Sequence, residues 1–292
     1  MKVWRATLSP WWEVEAMRKL MSANLFRLWR DKIFWITVAA MVIFSLVNIL
    51  SGCRQAMQAT AEFEYTLDDY FFSFLPMVGL FITAFISLFQ GTEYSDGTMR
   101  NKLIIGHYRI KVYFANFLTN YVASVVVLLV GFFVGIVGVP ILGWLEVETT
   151  VVVSYLVVSL LMVGAWSAIF TLISLLTTNK AYGVVFCILL WLGLTFLGSY
   201  FYNVLSEPEM QSGAIVTMEG ITIGEPTLNP NYVSGIKRHV YEFLSDFFPS
   251  SQAIQMSNLE AVHPIRMMLC SLGITVMATL GGIMGFRRKD LK

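Results

Sequence analysis

The chain has 292 residues, of which 57% are hydrophobic and only 13% are charged, and its formal net charge is +1. Its mean hydropathy of +0.68 exceeds that of water-soluble globular domains, so the composition predicts an all-α membrane protein. Because Cys53, Cys187 and Cys270 lie in or beside apolar runs, they predict neither a disulfide framework nor a spaced metal site.

Residues 1–32 predict an amphipathic helix that lies in the cytoplasmic membrane interface. Apolar residues from Trp11 to Leu28 recur at spacings of three and four, whereas the basic residues occupy other faces. Ser9 followed by Pro10 is typical of a helix start. Tryptophan suits the headgroup level and basic side chains suit anionic lipid; a solvated tail is the alternative. Seven Lys or Arg without a small-residue cleavage site argue against a cleavable signal peptide.

Six apolar runs are long enough to cross a bilayer, since a helix needs about 20 residues to span the hydrocarbon core. Sixteen of the 20 Lys and Arg fall on one side of these runs, which predicts that both termini are cytoplasmic. Spans one to five then occupy residues 33–203, and span six with a basic tail occupies residues 267–292. The runs lie near residues 33–52, 71–90, 118–143, 151–176, 181–203 and 267–286.

None of these runs contains Asp, Glu, Lys, Arg or His. Ionisable residues at membrane depth mark proton relays and ion pathways, so the pattern argues against a proton-driven pump. A Na⁺-coupled carrier would need paired interrupted helices in two related halves, and the sequence has no convincing repeat of that kind. Candidates for lining a pathway are Asn48, Thr83 and Ser87, although ordinary hydrogen bonding within the membrane is the favoured alternative for each.

Two Gly-x-x-x-Gly pairs permit close contact between membrane helices. Gly131 and Gly135 lie in the third run, and Gly281 and Gly285 lie in the sixth. Packing inside one subunit is the default interpretation, and an interface between two copies is the alternative.

The polar stretch EYSDGTMRNKLIIGHYR, residues 93–109, joins the second and third runs on the predicted cytoplasmic side. Asp96 and Gly97 are a turn signal, and Asp96 or Thr98 could cap the helix that follows. Gly106 is well placed to end that helix in the left-handed conformation. The pattern therefore predicts a helix of about two turns.

This short helix is predicted to form a basic and apolar knob that protrudes from the membrane. Met99 and Leu103 fall on one side, whereas Arg100 and Lys102 project elsewhere. Such a knob could fit a groove in a soluble partner, with Arg100 or Glu93 forming charge-assisted pairs at the contact.

Residues 204–266 are the large extracytoplasmic segment, with seven acidic and three basic residues. One stripe of the sequence IKRHVYEFLSDFF predicts a short helix on the outer leaflet or on the bundle, and GAIVTMEGITIG predicts a small hairpin that turns at Gly220. The stripe residues are Ile236, Val240, Phe243, Leu244 and Phe247.

An enzyme embedded in the membrane is poorly supported by the sequence. It contains no His-Glu-x-x-His pair, no Gly-x-Ser-x-Gly turn and no phosphate-binding Gly-x-x-x-x-Gly-Lys-Ser/Thr motif. His107, His239 and His263 lie in separate loops and are predicted to be surface residues. Energy for transport against a gradient would therefore come from another polypeptide.

The stretch EYSDGTMRNKLIIGHYRIKVYFANFL resembles the Glu-Tyr-x-x-Gly-Thr-x-Arg-Asn-x-Leu…Gly…Arg pattern of bacterial ABC transporter permeases of the type-2 export family. The ending GGIMGFRRKDLK and the stretch DFFPSSQAI are also similar to that family. The resemblance implies that residues 91–106 form a coupling helix and residues 1–32 an elbow helix. The implied ATPase-coupling residues are Glu93, Tyr94, Asp96, Gly97, Thr98, Arg100, Asn101, Leu103, Gly106 and Arg109.

The same resemblance implies a multi-pass permease in the bacterial cell membrane, with two permeases and two ATPase subunits in the transporter; the second permease would be another copy of this chain or a paralogue. ATP and Mg²⁺ would be bound by the ATPase, and this chain would bind no cofactor, no metal and no nucleic acid and would not be an enzyme by itself. The uncharged runs favour an amphipathic passenger such as a peptide, drug or lipid. The alternatives are a stand-alone channel or secondary carrier, an intramembrane hydrolase, and a sensor or scaffold.

Overall fold

The computed structural model describes residues 10–58, 65–212, 214–217, 220–223 and 225–289. These residues form twelve α-helices and two small antiparallel sheets. The helices are α1 Pro10–Arg30, α2 Lys32–Gln58, α3 Asp68–Phe71, α4 Leu75–Ser95, α5 Thr98–Ile104, α6 Arg109–Gly135, α7 Val139–Leu142, α8 Thr149–Leu176, α9 Lys180–Ser206, α10 Gly235–Phe247, α11 Pro249–Ser257 and α12 Pro264–Arg288. The strands are β1 Met210–Gln211, β2 Ala214–Thr217, β3 Gly220–Ile223 and β4 Thr227–Leu228.

Six helical segments of the described chain are long and apolar enough to cross a membrane, which confirms the predicted number of spans. Each begins before the apolar run that predicted it, and four of the six also end beyond it, because helices continue into the polar zones. The second segment joins α3 to α4, and the third joins α6 to α7 through a short 3₁₀ turn. The segments are Lys32–Gln58, Asp68–Ser95, Arg109–Leu142, Thr149–Leu176, Lys180–Ser206 and Pro264–Arg288.

Helix α8 lies at the centre of the bundle and packs against α4, α6 and α12. Its Trp166 is almost fully buried and stacks on Phe170, with ring centroids 5.0 Å apart. In the most apolar windows of α4 and α8, 61% of residues are buried, against 22% in α9 and α12. Helices α9 and α12 therefore leave apolar faces free for lipid or a second protein chain.

Helix α1 begins at Pro10, at the predicted helix start, and packs against α6. Leu20, Asn24 and Leu28, spaced four residues apart, are buried against the bundle. The centre of the packed face is therefore offset from the stripe that the sequence predicted, because a polar residue, Asn24, occupies its middle. Residues 1–9 of the predicted interfacial helix lie outside the described part of the chain.

Both Gly-x-x-x-Gly pairs pack inside this chain. A Cβ on Gly131 would lie 2.4 Å from a ring atom of Phe74, and one on Gly135 would lie 2.9 Å from the ring of Phe71. Gly285 approaches the Leu176 side chain in the same way. The default interpretation of these glycines, close packing within one subunit, is confirmed at these contacts.

The substitution Gly131→Ala is expected to lower the free energy of unfolding by about 1–3 kcal/mol, because the added methyl group overpacks the contact with Phe74. Gly193→Ala is the matched control, since it adds the same methyl group in α9 where no atom lies within 4 Å. Thermal unfolding of both purified variants checks the prediction. Equal midpoints for the two variants would contradict it.

The predicted outer hairpin is present: β2 pairs with β3, with Ala214 opposite Ile223 and Thr217 opposite Gly220. Gly220 is the first residue of β3 and pairs with Thr217. The predicted turn position therefore lies slightly too far along the chain. The residues between the two strands lie outside the described ranges. A second sheet pairs β1, which precedes the hairpin in sequence, with β4, which follows it.

The predicted short helix of the outer segment is α10, and its apolar stripe faces away from the bundle. Ile236 is 84% exposed, and Val240 and Phe243 are also exposed, whereas Ser245 and Asp246 are buried. Of the two predicted locations, the bundle is confirmed, since α10 packs against α9, α11 and α12. The helix turns its polar side inward, so the centre of the apolar stripe stays exposed.

Helix α11 is a short buried helix that the sequence did not predict. It contacts α9, α4 and α8, and most of its residues are buried. Its polar side chains bond to neighbouring elements: Ser250 donates to the Leu194 carbonyl at 2.6 Å, and Gln252 accepts from Ser271 at 2.8 Å. This segment is too short and too polar for a span, but its hydrogen bonds satisfy the polar groups that the bundle encloses.

Candidate functional site

The α4–α5 turn is built around Gly97, which has a φ of +68°. Its amide donates to the Tyr94 carbonyl at 3.1 Å, and its own carbonyl accepts from the Asn101 amide at 3.1 Å. The predicted caps were wrong, because neither Asp96 nor Thr98 caps α5 with its side chain. A left-handed glycine at the junction lets α4 pass directly into α5 without a capping side chain.

Gly106 ends α5 in the left-handed conformation, as the sequence predicted, with a φ of +100°. The His107 amide donates to the Lys102 carbonyl at 3.2 Å, and the Gly106 amide donates to the Leu103 carbonyl at 3.0 Å. These two bonds form a Schellman motif, in which a glycine supplies the backbone conformation that other residues rarely adopt. The helix therefore has seven residues, close to the predicted two turns.

The Glu93 carboxylate lies at the centre of a buried polar cluster that joins four helices. It forms ion pairs with Arg27 of α1 and with Lys102 of α5, the latter at 2.6 Å. Lys102 also donates to Asn24 Oδ1 at 2.8 Å, and Asn24 donates to Asn116 Oδ1 at 2.9 Å. The prediction that Glu93 pairs with a partner at the surface is therefore wrong, as is the outward direction of Lys102.

Tyr94 connects the same region to the end of α8. Its hydroxyl donates to the Leu175 carbonyl at 2.5 Å, and Lys289 Nζ donates to the Tyr94 hydroxyl and to the Leu175 carbonyl at 3.0 and 2.8 Å. Burial lowers the pKa of Lys289 to about 8. Because Tyr94 and Lys289 bind one carbonyl, the ends of α4, α8 and α12 meet at this point.

Arg109, at the start of α6, binds the end of α12. One nitrogen of its guanidinium group lies 3.0 Å from the Phe286 carbonyl oxygen and 3.4 Å from that of Arg287, and it also contacts the Lys289 carbonyl oxygen. These carbonyls lack partners within α12, and a cation near a helix C-terminus is favourable. Tyr94, near the start of the 93–109 stretch, and Arg109, at its end, thus both reach the C-terminal region of α12.

The outer face of α5 and the following turn is exposed and carries both charge and apolar surface. Ile104 and Ile105 are 70% and 78% exposed, and Tyr108, Arg100 and Asn101 are also exposed. The sequence analysis did not single out Ile104, Ile105 and Tyr108. The available signal was the pair of isoleucines that stands directly before the helix-ending glycine in a predicted protruding loop.

The inner face of α5 is apolar, as predicted. Met99 is 1% exposed and belongs to a cluster with Leu20 of α1 and Val112 of α6, and Leu103 packs against that cluster. The short helix therefore has one face fixed to the bundle and one face open.

The three candidates for pathway lining hydrogen-bond within their own helices. Thr83, Ser87 and Asn48 donate to carbonyls three or four positions earlier, at 2.6, 3.2 and 3.4 Å. Thr83 and Ser87 are also buried. Ordinary hydrogen bonding, the favoured alternative, therefore accounts for the bonds of all three residues, and their role in a pathway stays a prediction.

A row of buried polar side chains that the sequence analysis missed joins α4, α6 and α8. Gln90 donates to Asn120 at 3.1 Å, and Asn120 donates to Thr171 at 2.8 Å. Ser167 donates to Ser124 at 2.8 Å farther along α6 and α8. Amides in apolar runs were the available signal, since a polar group in hydrocarbon needs a partner.

Comparison with known protein families gives a match that covers well over half of the chain. The model of the ABC-2 family transporter protein matches residues 20–198, from the middle of α1 into α9. No curated protein matches the chain. The matched region includes α5, the Glu93 cluster, the first four candidate spans and most of the fifth. The chain therefore belongs to the ABC-2 transporter family and is a membrane permease component of an ABC transporter.

Proposed function

We propose that this chain is the transport subunit of an ATP-driven exporter and that residues 91–106 are the coupling helix that docks on a separate ATPase subunit. The observation that carries the proposal is the asymmetry of α5, whose inner face is fixed by Glu93 and Met99 while its outer face is open. A docking element needs both properties, since it must present a surface and transmit a displacement.

The composition of the open face suits a protein partner. Arg100 offers a guanidinium group for a carboxylate, and Ile104 and Ile105 offer apolar side chains for a pocket. Full burial of an isoleucine contributes roughly 1.5–3 kcal/mol, so two such side chains provide a substantial part of a specific contact. ATP and Mg²⁺ would be bound by the partner, and this chain would bind neither.

The interior contacts give a route for the displacement from α5. Arg27 ties α1 to Glu93, so α1 would move with α5 as the elbow helix at the cytoplasmic surface. Tyr94 and Arg109 tie the two ends of the same region to α8 and α12. We propose that two permease copies, each with its ATPase, rock against one another when ATP draws the ATPases together.

The distribution of charged residues along the sequence supports an orientation and a class of cargo for the proposed transporter. The excess of Lys and Arg on the α5 side favours a cytoplasmic location for α5 and both termini in a bacterial cell membrane. The uncharged apolar runs favour an amphipathic passenger, such as a peptide, drug or lipid. The exposed faces of α9 and α12 are available for the second permease copy.

The double substitution Arg100→Ala/Ile104→Ser is expected to weaken binding of the ATPase subunit at least tenfold, because it removes one charge-assisted and one apolar contact. The matched control is Arg54→Ala/Ile265→Ser, which removes the same groups from exposed positions near the other end of the bundle. Affinity is measured with both proteins purified, and transport is measured in liposomes.

Equal affinity for the double variant and the wild type would contradict the docking role of α5. Solute movement or ion conduction by this chain alone in liposomes would favour a stand-alone carrier or channel instead.

A further inference from the structure

A basic cavity of about 430 Å³ lies where the start of α6 meets the end of α12. Small-molecule sites in proteins commonly have volumes of roughly 300–1,000 Å³, so the cavity is large enough for a phosphate group with the glycerol that carries it. Its lining residues are Tyr108, Arg109, Ile110 and Lys111 at the start of α6 and Arg287 of α12.

The lining of this cavity is strongly positive. Three of the five lining residues are basic and none of them is acidic. Arg109 and Arg287 form no ion pair within the described part of the chain. Lys111 Nζ lies 5.3 Å from the centroid of the Tyr108 ring and is enclosed, so it adds positive charge beside the cavity but no direct contact. An anion is therefore the favoured occupant.

Two guanidinium groups can reach an anion in the cavity. Arg287 is exposed. Arg109 binds the carbonyls of α12 through Nη1 alone, and its Nε and Nη2 are neither enclosed nor hydrogen-bonded to another described residue. Guanidinium groups bind phosphate oxygens through such pairs of N–H donors. Arg109 can therefore hold the end of α12 with one nitrogen and donate to an anion with the others.

The backbone at the start of α6 adds to the same positive field. The first N–H groups of a helix have no partner within the helix, and Tyr108 does not cap those of α6 with its side chain. Such a helix end favours an anion. The carbonyls at the end of α12 would repel one, but Arg109 lies against them.

The cavity lies where two candidate membrane spans end. Arg109 is the first residue of the third span, and Arg288 is the last residue of the sixth. In a bilayer these residues lie at the level of the lipid headgroups, because each apolar run occupies the hydrocarbon core.

Exposed apolar surface continues from the cavity along both helices. On α6, Ile110 and Phe114 are exposed one turn apart. On α12, Met284 and Leu280 are exposed on the face that Arg287 shares, since residues three and seven positions apart lie on one side of a helix. A molecule with its charged group in the cavity can therefore extend acyl chains along the ends of both helices.

We propose that this cavity binds the headgroup of an anionic phospholipid, with the phosphate between Arg109 and Arg287 and the acyl chains along Phe114 and Met284. A zwitterionic phospholipid carries the same phosphate, but its ammonium group would lie among cationic side chains. Basic pockets between membrane helices recognise anionic headgroups in this way. Arg100 and Ile104 do not line the cavity, so the lipid site and the docking role of α5 stand or fall separately.

Lipid binding is measured by native mass spectrometry on the full chain in uncharged maltoside micelles. The probes are dioleoylphosphatidylglycerol and dioleoylphosphatidylcholine, which share their acyl chains and differ in net charge. We expect one phosphatidylglycerol per chain to bind at least about fivefold more tightly than phosphatidylcholine. Glycerol 1-phosphate, which has the charged group without the acyl chains, is expected not to displace the lipid.

The variant Arg287→Gln is expected to weaken phosphatidylglycerol binding about fivefold, since each basic side chain beside an anionic headgroup contributes roughly that factor. Phosphatidylcholine binding should change less than about twofold. Arg288→Gln is the matched control, because it removes an exposed arginine of the same turn that does not line the cavity. Equal binding of the two lipids, or an equal loss in the two variants, would overturn the proposal. Displacement of the lipid by glycerol 1-phosphate would overturn it in favour of a site for free phosphate.

Discussion

The substitution Glu93→Gln is expected to lower the free energy of unfolding by about 3–5 kcal/mol, the range for removing one partner of a buried ion pair. Glu93 is 1% exposed, and its carboxylate is the one acid that lies between Arg27 and Lys102. Glutamine keeps the size of the side chain but leaves two partly buried cations facing each other without a carboxylate between them. The measurement is the unfolding midpoint of the purified variant in detergent.

A second substitution separates the charge effect from a packing effect. Lys102→Met removes one of the two cations, and the remaining Arg27 side chain is 31% exposed, so it can reach water. We therefore expect Glu93→Gln/Lys102→Met to be more stable than Glu93→Gln alone, which is a coupling between contacting residues. A double variant less stable than Glu93→Gln would contradict the electrostatic explanation.

The exposed neighbour Asp96 provides the matched control for Glu93. It lies in the same turn and bears the same charge, but it is exposed and bonds only within the turn. Asp96→Asn is expected to change the free energy of unfolding by less than about 0.5 kcal/mol, as is usual for surface substitutions. Similar losses for Asp96→Asn and Glu93→Gln would show that Glu93 is not a buried anchor.

The spans and the short helix could be predicted because their causes are local. An apolar run of about 20 residues has one favourable arrangement in a bilayer, and Gly106 ends α5 through its own backbone conformation. In both cases the residues that decide the structure lie within a few positions of each other. The exposed isoleucines before Gly106 are also a local feature of the sequence, although they were not predicted to be exposed.

The role of Glu93 was not predictable in this way because its partner Arg27 lies 66 positions away. A charged residue beside a turn is normally a surface residue, and only the packing of α1 across α5 and α6 makes it buried. The sequence predicted that Arg27, like the other basic residues of α1, lies on the exposed face of an interfacial helix. Either charge without the other would be unfavourable inside the bundle. The burial of Glu93 could therefore be predicted only together with its pairing to Arg27.

The outer segment shows the same limit for an amphipathic pattern. Periodicity identified α10 but did not decide which face turns inward. Its polar face packs inward because Asp246 meets Gln255 of α11 and Arg266 of α12, which lie 9 and 20 positions farther along the chain, beyond the reach of a helical pattern. The apolar face, including Phe243, is then left for the surroundings.

The substitution Arg109→Gln is expected to loosen the last turn of α12. Its guanidinium group binds three terminal carbonyls of that helix, and hydrogen bonds to charged groups contribute about 1.5–3 kcal/mol. A loss of about 2 kcal/mol corresponds to roughly a 30-fold increase in local opening. Hydrogen exchange of the amides at residues 283–289 measures this change directly.

Two controls test whether the guanidinium group itself matters. Arg109→Lys keeps the charge but replaces the planar guanidinium group by a compact ammonium group on a different stem, so an intermediate exchange rate is expected. Arg288→Gln removes an exposed arginine from the same turn and should leave the exchange rates nearly unchanged. Faster exchange in Arg288→Gln than in Arg109→Gln would contradict the assigned contact.

The same variant separates docking from transmission in the proposed transporter. Arg109 lies away from the open face of α5, so Arg109→Gln should bind the ATPase subunit with wild-type affinity. Because α12 is no longer held to the start of α6, solute transported per ATP hydrolysed should fall severalfold. The Arg100→Ala/Ile104→Ser variant, by contrast, should lose affinity for the ATPase subunit. If Arg109→Gln instead retained full transport per ATP despite faster exchange in α12, the displacement of α5 would have to reach the bundle through α4 and α6 without α12.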